Sequence, residues 1–147
     1  MAKINMRDIL NSFSGKRVLI TGHTGFKGAW LTFILKQFGA DVMGFALPPA
    51  TTPNHFDLLD LKTDIEHVIG DIRDSSAIIS AMNSFKPEYV FHLAAQALVK
   101  KSYNEPVDTF DTNVMGAVNL LDSVRQSDSV RSLVFITSDK CYENVEW

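Results

Sequence analysis

The sequence contains a single cysteine, Cys141, and lacks the features that mark several specialised classes of protein. One thiol excludes a disulfide framework and any metal site built from several cysteines, so we predict no metal. No apolar run approaches the roughly 18 residues that span a membrane, and charges interrupt the apolar residues of the N-terminus too often for a secretory signal. Lys and Arg number 14 against 17 Asp and Glu, with no basic block, which argues against a nucleic-acid or anionic membrane surface. We therefore expect a soluble, cytoplasmic protein whose partners include neither nucleic acid nor membrane.

What the sequence does contain is typical of one globular domain. The 147 residues are 46% hydrophobic and 21% charged, which suits a chain with a buried core and excludes a disordered one. Short apolar runs alternate with longer amphipathic stretches, which is the pattern of a parallel α/β sheet with right-handed crossovers. The predicted strands are 16–21, 41–45, 67–70, 89–93 and 131–137, and the predicted helices are 25–38, 76–85 and 106–125.

Apolar stripes predict which face of two helices packs against the sheet. In the first helix the stripe consists of Trp30, Leu31, Ile34, Leu35 and Phe38. In the long helix it consists of Val107, Phe110, Val114, Val118 and Leu121. Between the second and third strands, three prolines predict an irregular surface excursion with one short helical turn.

A glycine-rich turn joins the first strand to the first helix. Gly22, Gly25 and Gly28 follow one another at intervals of three residues. In this context Gly22 makes the tight turn, Gly25 lets a phosphate approach the backbone, and Gly28 lets the helix pack close to the strand, while the helix N-terminus attracts a pyrophosphate. A turn without a ligand is the alternative. A nucleotide hydrolase loop is disfavoured because Lys27 precedes Gly28 and no hydroxyl residue follows.

Five motifs follow one another along the chain: TGHTGFKG (21–28), GDIRD (70–74), FHLAAQ (91–96), SYNEPVDTFDTNVMGAVNLL (102–121) and ITSDKCYENVEW (136–147). In this order they resemble the extended short-chain dehydrogenase/reductase family. His23 and Lys27, together with SDKCY (138–142), narrow the resemblance to the branch of nucleotide-sugar 4,6-dehydratases that act on CDP-sugars. The resemblance implies a Rossmann-type, doubly wound parallel sheet in three αβα layers, with about five strands present. It also implies an N-terminal extension (1–14) and an incomplete NAD-binding domain (15–147), without the substrate domain.

The resemblance assigns cofactor and catalytic roles to individual residues. Implied cofactor-binding residues are Gly22, Thr24, Gly25, Phe26, Lys27 and Gly28 at the pyrophosphate, Asp71 and Ile72 at the adenine, Leu93, Ala94, Ala95 and Gln96 beneath the nicotinamide half, and Asn113 on the long helix. Implied catalytic residues are Ser138, which hydrogen-bonds the substrate 4-OH, and Asp139 and Lys140, the acid and base of an elimination. The residues after the second strand carry neither acid nor base, so the choice between NAD and NADP stays open.

The implied reaction converts CDP-glucose to CDP-4-dehydro-6-deoxyglucose and water by internal hydride transfer through bound NAD, in bacterial O-antigen and deoxysugar biosynthesis. The implied partners are this nucleotide-sugar substrate and, in the full-length enzyme, a second copy in a homo-oligomer. As acid and base, Asp139 needs a raised pKa and Lys140 a lowered one. An epimerase or reductase of the same fold, and a non-catalytic dinucleotide-binding module, are the alternatives.

The family's Tyr-x-x-x-Lys pair has no counterpart in this sequence. Tyr89, Tyr103 and Tyr142 lack a lysine four residues further on. We therefore expect the chain to be the N-terminal, cofactor-binding part of a longer enzyme, without dehydratase turnover of its own and with an uncovered sheet edge and face. Of the remaining polar residues, His92 is predicted to be a hydrogen-bonded core or rim histidine, and Asn113 on an apolar helix needs partners.

Overall fold

The computed structural model describes residues 5–138 and 143, and within them five parallel strands form one sheet in the order β3-β2-β1-β4-β5. The strands are β1 (Arg17–Thr21), β2 (Asp41–Ala46), β3 (Glu66–Ile69), β4 (Tyr89–His92) and β5 (Ser132–Phe135). The helices are α1 (Met6–Asn11), α2 (Phe26–Gln37), α3 (His55–Leu58), α4 (Leu61–Asp64), α5 (Ser75–Phe85), α6 (Val99–Asn104), α7 (Pro106–Phe110) and α8 (Gly116–Arg125), with a π-helical segment, Asp111–Met115, between the last two. The predicted parallel α/β sheet is confirmed.

The central strand β1 is buried on both faces. Val18, Leu19 and Ile20 have no exposed surface, as the unbroken apolar run predicts for a strand inside a parallel sheet. Val18 pairs with Val42 on one side and with Tyr89 on the other. This places the end of β1, where the glycine turn starts, between the ends of β2 and β4.

Alternate residues of the strands feed two cores, one on each face of the sheet. Leu19 and Met43 pack with residues of α5 and α8 on one face, whereas Val18 and Val42 pack with Leu35 of α2 on the other. The predicted three-layer αβα arrangement is therefore confirmed. On the α2 face, α3 and α4 add Phe56 and Leu61 to a third cluster around Ala29, so the excursion after β2 has more structure than the single turn predicted.

The stripe predicted for α2 is wrong in part. Leu35 is buried, but Trp30 and Ile34 are 41% and 37% exposed, and the helix instead buries Gly28, Ala29, Thr32 and Leu35. Small residues are needed there because the start of α2 lies directly against the glycine turn. A Cβ on Gly28 would overlap the carbonyl oxygen of Gly22. The side of α2 that faces inward is therefore the side whose small residues allow the helix to lie against the glycine turn, and not the side with the largest apolar surface.

The stripe predicted for the long helix faces outward, which corrects the prediction that it packs on the sheet. Its members, Val107, Phe110, Val114, Val118 and Leu121, are between 47% and 80% exposed. The helix turns Gly116, Leu120 and Ser123 inward. Gly116 is required by proximity, since a Cβ there would lie 2.6 Å from Cγ2 of Ile72. This helix therefore presents an exposed apolar outer face. The predicted uncovered sheet edge and face is a different surface: on the edge strand β5, Val134 and Phe135 are 41% and 37% exposed.

No helix within the described part of the chain is both long enough and apolar enough to cross a membrane.

Candidate functional site

The glycine turn is built so that two of its glycines are sterically obligatory. Gly22 has a φ of +77°, and a Cβ on it would lie 2.7 Å from the backbone nitrogen of Ala94. Gly28 lies against Gly22 itself. The turn is therefore wedged between the start of α2 and the loop that follows β4.

Gly25 has a different environment and gives the turn its open side. A Cβ on Gly25 would meet only the carbonyl oxygen of Gly22, at 3.3 Å, and Gly25 is the N-cap of α2 with no side-chain hydrogen bond to the first turn among the described residues. The first-turn N–H groups of a helix lack intrahelical acceptors and carry the positive end of its dipole. With the exposed residue Lys27 in the first turn of α2, this corner is suited to a diphosphate.

A cleft of about 1160 Å³ runs from this corner along the carboxyl ends of β1, β4 and β5. The predicted site residues that line it are Gly22, Gly25, Phe26, Lys27, Gly28, Leu93, Ala94, Ala95, Gln96, Asn113 and Ser138. The carboxyl ends of the strands are where open α/β sheets bind ligands. Most of the residues that the resemblance implied are thus brought to one cleft.

The loop after β4 is held in the cleft by the long helix. Asn113 accepts a hydrogen bond from the backbone N–H of Gln96 at 2.7 Å and donates one to the Gln96 carbonyl at 3.0 Å. The Gln96 side chain in turn donates to the hydroxyl of Thr109 at 3.0 Å. These are the partners that a buried amide on this helix was predicted to need. Asn113 lies in the π-helical segment, a deviation that recurs at functional sites.

Thr21 and His92 fix the floor of the cleft. The Thr21 hydroxyl accepts from the backbone N–H groups of Leu93 and Ala94, both at 3.3 Å, and lies 2.7 Å from Nδ1 of His92. Burial lowers the pKa of His92 to about 4, so the imidazole is neutral at pH 7 and shares a hydrogen bond with the Thr21 hydroxyl whose donor is set by the tautomer. The prediction that His92 is a hydrogen-bonded core or rim histidine is confirmed.

Some predicted residues lie apart from the cleft lining or outside the described residues. The Thr24 hydroxyl donates to the carbonyl of Leu47 at 2.9 Å. Ile72 is buried against Gly116, and Asp71 is bonded to Arg73. Asp139 and Lys140 lie outside the described residues, so their proposed roles stay predictions.

Beneath the turn the structure adds a pair of histidines, the buried His23 and the half-buried His67, that the sequence did not reveal. Nε2 of His23 lies 2.7 Å from Nδ1 of His67 on β3, and the His23 ring occupies the space that a side chain on Gly44 would need. Burial, and then the nearby His67, lower the pKa of His23 to about 3. A glycine within a central strand indicates a close approach, but nothing in the sequence identifies the approaching residue.

Comparisons with known proteins find relatives whose names describe enzymes that act on nucleotide sugars. Residues 19–146 match the protein family described as GDP-mannose 4,6 dehydratase. CDP-glucose 4,6-dehydratase of Salmonella typhimurium is 51% identical over 137 residues, which are 93% of this chain and 38% of that protein. CDP-paratose 2-epimerase of Salmonella typhi is 31% identical, over 88% of this chain and 39% of that protein.

Solved structures share the fold. UDP-glucose-4-epimerase from Stenotrophomonas maltophila, determined with bound NAD and formylated UDP-arabinopyranose, superposes with a TM-score of 0.76 at 28% identity, over 90% of this chain and 40% of that one. The chain thus spans about two fifths of the length of the proteins it matches.

Proposed function

Since the chain belongs to the GDP-mannose 4,6-dehydratase family, we propose that it is the dinucleotide-binding part of an NAD-dependent 4,6-dehydratase that acts on CDP-glucose. The observation that carries the proposal is the corner formed by Gly22, Gly25 and Gly28 beside the uncapped start of α2. The 51% identity to a CDP-glucose 4,6-dehydratase supports the choice of substrate.

The residues of the cleft fit a bound dinucleotide. Gly25 leaves room for a phosphate where any side chain would intrude, and Lys27 supplies a cation. Asn113 and Thr21 fix the backbone of the loop after β4, along which the nicotinamide half would lie. Asp71 and Ile72 are assigned to the adenine end of the site. A cofactor that is regenerated within one turnover has no need to leave, which suits a deep backbone cradle.

NAD, when bound, would accept hydride from C4 of the hexose and return it to C6 once water has been lost. A base in the rest of the protein would take the 4-OH proton as the hydride leaves C4, since none of the tyrosines of this sequence has a lysine four residues further on. The chain's own residues would move the protons at C5 and C6. The Ser138 hydroxyl would hydrogen-bond the 4-OH, and neutral Lys140 would remove the C5 proton, which the C4 ketone makes acidic. Protonated Asp139 would give its proton to the departing C6 hydroxyl, which leaves as water, and Lys140 would return its proton to C5 when the hydride adds to C6.

The same proposal includes the domain organisation, the location and the oligomeric state of the protein. We place residues 1–14 as an N-terminal extension and residues 15–147 in the NAD-binding domain. Base-specific contacts to the nucleotide sugar would come from a substrate domain elsewhere in the protein that contains this sequence. We also propose a cytoplasmic homo-oligomer. The outer stripe of the long helix supports a second copy as its occupant, because its exposed apolar residues recur at intervals of three and four residues along one side of the helix, the spacing with which two helices pack together.

A substrate comparison tests the proposed function. The protein that contains this sequence should convert CDP-glucose to the 4-keto-6-deoxy sugar with a higher kcat/KM than dTDP-glucose or GDP-glucose, as measured by NMR of the products. Asp139→Asn should lower turnover by at least roughly 100-fold, while the exposed Asp128→Asn leaves it unchanged. Formation of the 4-epimer, or preference for another nucleotide, would contradict the proposal.

A further inference from the structure

The side chain of Gln96 belongs to the wall of the cleft, yet it makes its hydrogen bonds within the protein. Its amide oxygen, Oε1, accepts from the backbone N–H of Leu98 at 2.7 Å, and its amide nitrogen, Nε2, donates to the Leu98 carbonyl at 3.2 Å. Nε2 also donates to the hydroxyl of Thr109 at 3.0 Å. Both amide hydrogens are therefore used, and the Gln96 side chain has no N–H donor left for a ligand.

The Thr109 hydroxyl determines which way this amide faces. Its one proton is donated to the carbonyl of Glu105, at 2.9 Å, at the start of α7. The hydroxyl oxygen can therefore only accept a hydrogen bond from Gln96, which requires the amide nitrogen to face it. If the amide were turned over, its oxygen would meet two other oxygens, those of Thr109 and of the Leu98 carbonyl. The observed orientation is thus fixed by three contacts at once.

The long helix holds Gln96 at a second point. Asn113 bonds both the N–H and the carbonyl of the Gln96 backbone, at 2.7 and 3.0 Å. The backbone of Gln96 is thus held through Asn113, its side chain is held through Thr109, and the side chain in turn holds Leu98. The loop after β4 therefore has a defined shape before any ligand enters, which lowers the entropic cost of binding.

The wall that this loop forms is apolar. Ala97, Leu98 and Val99 continue the lining of the cleft beyond Gln96. Leu98 and Val99 are 69% and 48% exposed. Apolar side chains that line a cleft bind ligand surfaces with few hydrogen-bonding groups. The flat face of a nicotinamide ring is such a surface, whereas phosphates and sugar hydroxyls are not.

We propose that Thr109 is a positioning residue that, through the amide of Gln96, fixes loop 96–99 as an apolar wall for the nicotinamide ring of the dinucleotide. This inference rests on the proposed function, because it requires a dinucleotide whose nicotinamide half lies along the loop after β4. The Gln96 side chain then supports the wall instead of hydrogen-bonding the cofactor. Thr109 acts through Gln96, whose amide nitrogen its hydroxyl oxygen accepts.

Two ligands isolate the contact with the wall. NAD and ADP-ribose differ at the nicotinamide ring, which a hydroxyl group replaces in ADP-ribose. Calorimetric titration of the full protein should show NAD binding more tightly by roughly tenfold, the order expected when one face of a small ring is buried. Thr109→Val keeps the shape of the side chain but loses the hydroxyl. It should weaken NAD by roughly fivefold, the order of one lost hydrogen bond, and ADP-ribose by less than about twofold.

Further variants separate positioning from direct contact and from general loosening. Thr109→Ser keeps the hydroxyl and should keep the wild-type ratio of the two dissociation constants. Gln96→Leu should weaken NAD at least as much as Thr109→Val does, and the double variant should bind NAD no more weakly than Gln96→Leu alone, because the two residues act as one unit. Ser84→Ala removes a hydroxyl that donates to the Ala81 carbonyl on α5, and this control should leave the ratio unchanged.

The outcomes distinguish this inference from the function on which it rests. If Thr109→Val keeps the wild-type ratio, or if Thr109→Ser changes it as much as Thr109→Val does, Thr109 does not position the wall. Additive losses in the double variant would mean that Gln96 contacts the cofactor itself, which also contradicts the inference. If the wild type binds NAD and ADP-ribose equally, the wall does not meet the nicotinamide ring, although dinucleotide binding stands. If the wild type binds neither, the proposed function and this inference both fail.

Discussion

At the scale of single residues, the buried His92 makes the stability of the fold depend on pH. His92 is almost fully buried and has a pKa near 4 in the folded protein, compared with about 6.5 for an exposed histidine. Between these values the unfolded chain binds a proton at His92 that the folded chain does not. Folding is therefore favoured above this window, and the stabilisation is lost as the pH falls through it.

Replacing His92 should flatten the acid dependence of stability. His92 contributes a loss of about 1.4 kcal/mol per pH unit, or about 3 kcal/mol across the window from pH 6.5 to 4. His92→Asn should be less stable than the wild type at pH 7 but lose stability less steeply below pH 6.5, in urea denaturation at a series of pH values. Ser123→Ala, at a buried polar residue that does not titrate, is the control and should keep the wild-type slope. An equally steep loss in His92→Asn would show that this histidine is not the group that titrates.

Two glycines with the same backbone conformation provide a test of the packing at the turn. Gly15 and Gly22 both have a positive φ, but a Cβ on Gly15 meets nothing within 4 Å, whereas one on Gly22 meets the backbone of Ala94. Gly15→Ala should cost about 1–2 kcal/mol of unfolding free energy, the backbone term alone. Gly22→Ala should cost roughly 1–3 kcal/mol more, because backbone atoms must move. Equal losses in urea denaturation would mean that the loop after β4 does not press on the turn.

At the scale of helices and strands, the hydrophobic periodicity of the sequence predicted where the helices and strands lie better than it predicted which helix faces are buried. All five strands were predicted, β1 from a continuous apolar run typical of a strand inside a parallel sheet, and β3, Glu66–Ile69, from a weaker pattern. The inward faces of α2 and the long helix were not, because Gly28 faces inward against the backbone of Gly22 and Gly116 faces inward against the side chain of Ile72. A hydrophobic pattern shows which side of a helix carries the most apolar surface, but not how closely that helix approaches its neighbours. It therefore predicted burial for the side with the larger side chains, most of which are exposed.

The outer stripe of the long helix gives a prediction at this scale. If it seats a second copy, Val114→Lys should raise the dissociation constant of the oligomer at least roughly tenfold, since a charge would be buried in the contact. The stability of a single copy should not change, because Val114 is already 48% exposed.

Val99 on α6 is equally exposed, at 48%, and lies off the stripe, so Val99→Lys is the matched control. Sedimentation velocity over a range of concentrations distinguishes the two variants. If the wild type is a stable monomer, or if both variants weaken the oligomer equally, the stripe does not form the interface between copies.

At the scale of the whole molecule, the site is assembled from segments far apart in the sequence. The glycine turn could be predicted because its spacing, between a strand and a helix, has a local physical cause. The contacts that hold the site in place could not: Arg73 meets Asp108 and His23 meets His67 only after the sheet has formed. Their residue types are ordinary, and their partners are set by topology rather than by spacing.

The central claim is that a dinucleotide binds at the open side of the glycine turn, and calorimetric titration with NAD tests it most directly. The wild-type protein should bind one equivalent. Gly25→Val should still fold, because its Cβ would meet only the carbonyl oxygen of Gly22, at a tight 3.3 Å that a small shift relieves. It should lose binding, because its side chain would lie where the phosphates would bind. Undiminished NAD binding by a folded Gly25→Val variant, or no binding by the wild type, would contradict the account.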